Sequence, residues 1–522
     1  MKKHEELLFA IAIFLFYSIF IAFTSHAGFP SSMKGDFFPY LSDKPVGEDG
    51  FYMLTVAWNI AIGKGISYNF DIATTGIQPL STFIFALIAK TVLFFGGNKW
   101  TFVRFIILFG ALAHTVLAFI VGKISKELSR IALLDGDKVS KCFYIGFILC
   151  LFSMGLYKLS VYGLETPIYL IFLGSLFLSS LVLIKVEQLS RSKIFILGIL
   201  CGFCILSRID SLVIFSIFSF LLLIFRKVNI KQLLSIFLIS LPIFIPWFIY
   251  VYIQSGAPIP SSGGAQSSLI NFDNFLERFQ VFLPVILGNI VPIFVPNKVF
   301  FNAGNFIILM FLAFSILADK NKKSIFRITD NFVVRAWMIS LLCLSTIYLC
   351  FFWATHFYHR YTSPLITLSL PLIAVVLSQV SYINKRALLC FIATLFFVQA
   401  LGSFHLGKIG NNHSISAGFV AENYPNKNFI VGAYQSGVIG YFNENVINLD
   451  GKLDGNALQL LRRGQITDYI AEKDINFIID WKEPVKNLYK KLNNLEGSSW
   501  EFCAKEIPNN ASLCIQKKGD SV

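Results

Sequence analysis

The chain has 522 residues, of which 55% are hydrophobic and only 14% charged, with a mean hydropathy of +0.67 and a formal net charge of +14. Soluble domains carry about 25% charged residues, so this excess of apolar side chains excludes a wholly water-soluble protein and points to lipid. The basic excess is assigned to Lys and Arg held at the cytoplasmic face of a membrane, and not to nucleic acid, because basic and aromatic residues do not interleave on a polar surface.

Residues 1–6 are charged, and 7–23 are apolar over about one membrane thickness. The small-residue cleavage site of a signal peptide is missing, so 7–23 reads as a retained first helix with its N-terminus inside. Further spans are expected at 102–121, 142–157, 167–184, 193–206, 211–225, 233–253, 305–318, 336–355, 364–380 and 386–404, which makes about eleven. Pro242 and Pro246 are expected to kink the span they share. The connecting segments alternate in charge. One set, with the N-terminus, holds twenty Lys and Arg, while the opposite and much longer set holds ten. The positive-inside rule places the second set outside. This requires 81–95, although apolar, to be an amphipathic or re-entrant segment at the outer surface and not a span. The proline-interrupted run 278–296 is read in the same way.

After about residue 405 the composition shifts. FIVGAYQSGVIGYF, VINLDGKLDG and QITDYIAEKDINFIIDW read as short strands alternating with helix. The expected organisation is a membrane domain over 1–404, with an outer catalytic loop at about 24–101, and a small α/β domain over 405–522. An odd number of spans puts this second domain outside. Seven of the nine Cys lie in apolar runs and read as small buried hydrophobes. Cys503 and Cys514 share the polar tail and are expected to pair if that tail is outside the cytoplasm.

Four places carry ionisable groups in chemically suggestive positions. Glu48 and Asp49 open an outer stretch, VGEDGFYMLTVAWNIAIGKGISYNFDIATTGIQPL. Their plain role is to favour a helix N-terminus; their chemical role is a general base, since neighbouring carboxylates raise each other's pKa. Thr166 and Pro167 suit a helix start, as N-cap and first helical residue, but leave Glu165 at the membrane boundary unexplained. Arg208 and Asp210 interrupt an apolar run; they either pair with each other, or Arg208 faces a phosphate. His356, His359, Arg360 and Tyr361 fall within HFYHRYTSP, either as an interfacial aromatic belt or as an anion site with Arg as a two-pronged clamp. In the tail, the D-G pairs of Asn448–Gly455 are accounted for by turn chemistry, and an EF-hand ligand pattern is lacking.

Taken in order, these pieces resemble the polytopic GT-C glycosyltransferases that use polyprenyl-phosphate sugars. The likeness is to the arabinofuranosyltransferase-like and dolichyl-phosphate-mannose mannosyltransferase-like members. It rests on Glu48-Asp49 with Phe51-Tyr52, on Asn59, Gly63, Gly65 and Tyr68-Asn69, and on Gln78-Pro79-Leu80. Gly163–Pro167, Arg208 with Asp210, Arg360-Tyr361, Gly440-Tyr441-Phe442 and Leu449-Asp450-Gly451 continue it. The family often has Asp-Asp or Asp-Glu where this chain has Glu48-Asp49, and usually Pro where it has Ile209. The resemblance implies a multi-span helical membrane enzyme that moves one sugar from a lipid-linked donor to a cell-envelope acceptor, with inversion and without a cofactor; dependence on a divalent metal is left open. Asp49 or Glu48 would be the base. Arg360, His359, Arg208 and His356 would bind the donor phosphate, and Tyr52, Glu165, Tyr361 and Asp450 would line the substrate site. The expected location is the bacterial inner membrane. The competing readings are a transporter or flippase for a lipid-linked glycan, and a glycan polymerase or ligase. A transporter calls for inverted repeats about the bilayer midplane, which the sequence does not display.

Overall fold

The computed structural model describes residues 46–184, 189–256, 260–263, 275–290, 319–352, 357–379, 412–424, 429–494, 499–505, 507 and 512–519, together with Ile11 and Phe14. The expected spans 305–318 and 386–404, most of 7–23, and His356 lie outside the described residues.

Helix α1 (Glu48–Ala61) follows an extended Gly47 and places Glu48 and Asp49 in its first turn, where they complement the helix dipole. Almost every side chain after them is buried. The helix stops at Gly63, whose φ of 89° suits a left-handed cap, with Lys64 N–H donating to Asn59 O at 2.8 Å. Helix α2 (Pro79–Phe94) starts on a proline and packs Phe85, Ala86, Ala89 and Val92 against the core. At 16 residues it is shorter than the roughly 20 a perpendicular span needs, and Phe83, Leu87 and Phe94 are exposed along it.

The apolar bundle follows. It comprises α3 (Lys99–Ile131), α4 (Gly136–Leu151), α5 (Met154–Val161), α6 (Thr166–Leu183), α7 (Arg191–Ser207), α8 (Ser211–Ile224), α9 (Ile230–Ser255), α10 (Phe275–Ile290), α11 (Asp319–Asp330) and α12 (Phe332–Phe351). A helical run from Tyr358 to Gln379 closes it, with α13 (Tyr358–Tyr361) and α14 (Ile366–Gln379) at its ends. Among the described residues, five helical segments are long and apolar enough to cross a membrane: α3, α6, α9, α12 and Tyr358–Gln379. Helix α9 runs through both Pro242 and Pro246.

The expected span at 142–157 is broken in the middle. It is two helices, α4 and α5, that meet at a 61° bend, because Ser153 takes an extended conformation and its hydroxyl caps Leu156 N–H. The buried His114 of α3 holds this bend from both sides, with one ring nitrogen 3.0 Å from Leu151 O and the other 3.1 Å from Ser160 Oγ. The N-cap is also shifted: α6 begins at Thr166, and Glu165 is its N-cap residue.

The C-terminal region is a five-stranded mixed sheet flanked by helices. Its strands are β1 (Val431–Ala433), β2 (Val446–Asn448), β3 (Phe477–Trp481), β4 (Trp500–Phe502) and β5 (Ser512–Lys517), in the order β2-β1-β3-β5-β4. The first three are parallel, with Val431 opposite both Val446 and Phe477; β5 and β4 add in antiparallel fashion. Cys503 and Cys514 form the expected disulfide across β4 and β5.

The carboxyl ends of the three parallel strands face α1 and the loop that follows it. Helix α15 (Asn412–Asn423) precedes β1, and α16 (Gly437–Phe442) connects it to β2. A Cβ on Gly437 would lie 2.2 Å from Glu48 O, so only glycine permits this approach. Tyr68 OH donates to Ser436 O at 2.8 Å. The Asn69 amide faces three carbonyls, Gly440 O at 2.9 Å and Asn443 O and Val446 O each at 3.1 Å.

Because Asn69 supplies donors only to this pocket of carbonyls, Asn69→Ala should cost about 1–3 kcal/mol, the desolvation of buried acceptors left unmade. Asn69→Asp should cost more, since it sets a carboxylate against three carbonyl oxygens. Thermal unfolding of the detergent-solubilised protein checks the order wild type, Ala, Asp.

Candidate active site

Charged residues inside an apolar bundle must neutralise one another. Three breaks in the helices bring them together here. Glu165 sits at the start of α6, after Gly163. Arg208 lies in the extended link between α7 and α8. Arg360 lies in the short turn that precedes α14. Glu165 is fully buried and binds Arg360 by two bonds, Nε to Oε1 at 3.0 Å and Nη2 to Oε2 at 2.6 Å. Arg208 Nη1 reaches the same Oε1 at 2.9 Å. The other edge of Arg208 binds Asp210, with Nη2 to Oδ2 at 2.9 Å, and the same nitrogen donates to Tyr348 OH at 2.9 Å. Tyr348 OH in turn donates to Asp210. Tyr361 stacks on Tyr348 with ring centroids 4.7 Å apart, and the Arg208 guanidinium lies 4.9 Å from the Tyr361 centroid.

This network forms one wall of a cavity of about 390 Å³. Arg208, Asp210, Tyr348, Arg360 and Tyr361 line that wall. Phe244, Trp247 and Phe248 of α9, with Ile209, Val213 and Leu344, form an apolar side, and Gln78 and Pro79 lie at the start of α2. Asp49 enters from the first turn of α1. Its Oδ2 is 3.6 Å from Arg360 Nη1, and its Oδ1 is 3.4 Å from Lys452 Nζ. Lys452 belongs to the loop after β2, so the C-terminal domain completes the cavity. Burial lowers the Lys452 pKa, but the nearby Asp49 and Asp450 outweigh this and raise it, which keeps the ammonium charged. The Asp450 carboxyl is raised by its burial, against the opposing pull of Lys452.

The structure brings together Asp49, Tyr52, Arg208, Arg360 and Tyr361 from the sequence candidates. It puts the others elsewhere. Glu48 turns away from the cavity, and its carboxylate accepts N–H bonds from Gly437 and, at 3.3 Å, from Val438. Burial raises its pKa to about 7, against the lowering effect of these two bonds. Successive residues of a helix point about 100° apart, so only one of the pair can face the cavity. Glu165 lies behind the wall, where both arginines engage it. Asp450 reaches the site only through Lys452. His359 is off the cavity: consecutive with Arg360 on α13, it points to the other side, where the Gly155 backbone bonds its ring and Asn289 Nδ2 holds its carbonyl at 2.8 Å. Tyr52 lines the cavity with its ring, while its hydroxyl donates to Tyr434 O and accepts from Ser436 N–H, each at 3.2 Å. Lys452, Tyr348 and Trp247 were not singled out in the sequence. Lys452 is the lone cation in a loop otherwise rich in Asp and Gly, while Tyr348 and Trp247 are hidden in apolar runs.

No protein-family model and no curated protein sequence matches the chain. Solved structures do. The structure of ArnT from Cupriavidus metallidurans bound to undecaprenyl phosphate matches with a TM-score of 0.58 and 13% identity, covering 98% of each chain. The oligosaccharyltransferase of Archaeoglobus fulgidus, in a complex with zinc and sulfate, matches with a TM-score of 0.55 and 13% identity, covering 94% of this chain and 71% of that one. The same enzyme tethered to an acceptor peptide with an NVT sequon matches with a TM-score of 0.55 and 11% identity, covering 96% and 73%. At these identities the likeness is one of fold.

Glu165→Gln removes the carboxylate that two buried arginines share. It should destabilise the protein by roughly 3–5 kcal/mol, the cost of unpaired buried charge, read as a lowered thermal midpoint. Glu48 makes a separate prediction. Its folded pKa of about 7 lies above its ordinary value of 4.5, so its contribution is full below pH 4.5 and is lost as the pH rises to about 7. Wild type should therefore lose up to about 3 kcal/mol relative to Glu48→Gln over that window, measured as thermal midpoints from pH 4.5 to 8.

Proposed function

We propose that this chain, whose fold is that of the GT-C membrane glycosyltransferases, moves a single sugar from a polyprenyl-phosphate donor to a hydroxyl of a cell-envelope glycan or glycolipid. One observation carries the reading: the apolar side of the cavity from α9 faces Arg208, Arg360 and Lys452, the last two beside the half-buried Asp49 carboxylate. An isoprenoid chain suits the first surface, and a phosphate suits the second. A volume of about 390 Å³ has room for a sugar with its phosphate.

The reaction follows from these positions. Asp49 is held by Arg360 and Lys452. A bound phosphate competes for both cations and frees the Asp49 oxygens to accept a hydrogen bond from the acceptor hydroxyl. The acceptor hydroxyl gives its proton to Asp49 as its oxygen attacks the anomeric carbon. The bond from that carbon to the phosphate oxygen breaks, and polyprenyl phosphate leaves. The transition state has oxocarbenium character, as in glycoside hydrolysis, and a single displacement inverts the anomeric centre. Arg360, Lys452 and Arg208 stabilise the charge that grows on the leaving phosphate in a low-dielectric cavity. The two phases from which the substrates arrive make positioning a large part of the rate. On this reading the enzyme resides in the bacterial inner membrane, with α1 and the C-terminal domain on its outer face, and works without a cofactor.

Purified protein in vesicles with a panel of radiolabelled polyprenyl-phosphate sugars and envelope lipids should yield a labelled glycolipid. Asp49→Asn should fold, insert and lose transfer by about 10²–10⁴-fold, the usual contribution of a general base, whereas Glu48→Gln should retain most of it. Equal activity in wild type and Asp49→Asn sinks the assignment. A reporter fused after Val522 should read as extracytoplasmic; a cytoplasmic reading overturns the topology.

A further inference from the structure

The loop Asp450–Asp454 brings a cation between two carboxylates at the edge of the cavity. Lys452 Nζ lies 3.4 Å from Asp49 Oδ1 and 3.3 Å from Asp450 Oδ2. Two features show that the ammonium is built into this place. The Lys452 backbone is clamped: Ser261 Oγ donates to its carbonyl at 2.7 Å, and a Cβ on Gly76 would lie 1.8 Å from the same oxygen. Asp450 is fixed through its other oxygen, which accepts Lys452 N–H at 2.9 Å, and its Oδ2 receives no hydrogen bond among the described residues. Among the described residues, that buried oxygen is paired with the Lys452 ammonium. Two carboxylates from separate elements that share one cation beside the cavity are also the oxygen ligands that Mg²⁺ or Mn²⁺ favours.

We propose that the Lys452 ammonium takes the place of a divalent cation in this site: it bridges Asp49 and Asp450 and, with Arg360, meets the donor phosphate. The second half rests on the glycosyl-transfer reading; the first does not. A tethered ammonium carries one charge where a metal carries two, and it cannot be removed by a chelator. It also ties the charge of the site to docking of the C-terminal domain, because the lysine leaves with its loop.

The test is a titration of the full-length purified protein with Mn²⁺ alone, followed by electron paramagnetic resonance. Wild type should bind no Mn²⁺ that depends on Asp49. Lys452→Ala, which leaves two carboxylates without their cation, should gain one saturable Mn²⁺ that Asp49→Asn in the same chain removes. Lys452→Ser provides a second variant if the alanine protein does not fold. Mn²⁺ binding to wild type that is lost in Asp49→Asn, or no gain in either folded lysine variant, overturns the proposal. In the transfer assay, wild type should be unaffected by EDTA, and Lys452→Ala should fall by about a hundredfold; EDTA-sensitive transfer by wild type overturns the proposal. A wild type that transfers no sugar while the Mn²⁺ results hold counts against the glycosyl-transfer reading and leaves the bridging ammonium standing.

Discussion

A single carboxylate, Glu165, holds two arginines in the apolar interior, and the rest of the site depends on that arrangement. An unpaired charge there costs several kcal/mol, so Glu165, Arg208 and Arg360 must arrive together or not at all. Each sits where a helix is broken or begins: the start of α6, the α7–α8 link, and the turn of α13. Breaks of this kind free backbone groups that a long straight helix would satisfy, and they are tolerated where they line a cavity. The pairing then fixes which faces of Arg360 and Arg208 are left for the cavity. Tyr348 and Tyr361, stacked on each other, line the cavity beside the network. The result is two guanidinium groups fixed in place at the cavity wall, with little reorganisation needed when an anion arrives.

The second constraint is the meeting of the membrane bundle with the C-terminal sheet. The sheet offers the carboxyl ends of β1, β3 and β2, the edge at which parallel sheets commonly take their ligands. Here that edge takes α1. The Glu48 carboxylate meets backbone N–H groups at the start of α16, Tyr52 OH joins the loop after β1, and the loop after β2 delivers Lys452. Asp480, at the end of β3, accepts Gln435 N–H at 2.7 Å and steadies the loop between. The adjacent acids therefore have different work. Glu48 anchors one domain to the other, and Asp49 is left for the cavity.

Much of this was legible in the sequence, and the remainder was not for physical reasons. The low charge and alternating basic segments point to a membrane protein, and the change in pattern after about residue 405 points to the α/β unit, because period-2 runs and turn residues are local signals. The ionisable residues at helix breaks stood out because they are costly in lipid. Their partners did not stand out: that Glu165 serves Arg360, 195 residues away, is a tertiary fact. The same holds for Glu48 and Asp49, which share a composition and differ only in the direction each faces on α1. The break at Ser153 was hidden because the flanking residues are uniformly apolar, and hydropathy does not register a bend. Lys452 was hidden by its neighbours, since Asp-Gly turns account for the loop without reference to what its lysine touches.

The central claim is that the cavity accepts a lipid-linked phosphate with its chain along α9 and its phosphate at Arg360 and Lys452. The most direct measurement is photo-crosslinking with a polyprenyl phosphate that carries a diazirine on its first isoprene unit, with the labelled peptides mapped by mass spectrometry. The account predicts label on the segment from Phe244 to Phe248 or at Tyr361, suppressed by unlabelled polyprenyl phosphate and not by the polyprenol that lacks the phosphate. Label confined to other helices, or equal suppression by the polyprenol, would contradict it.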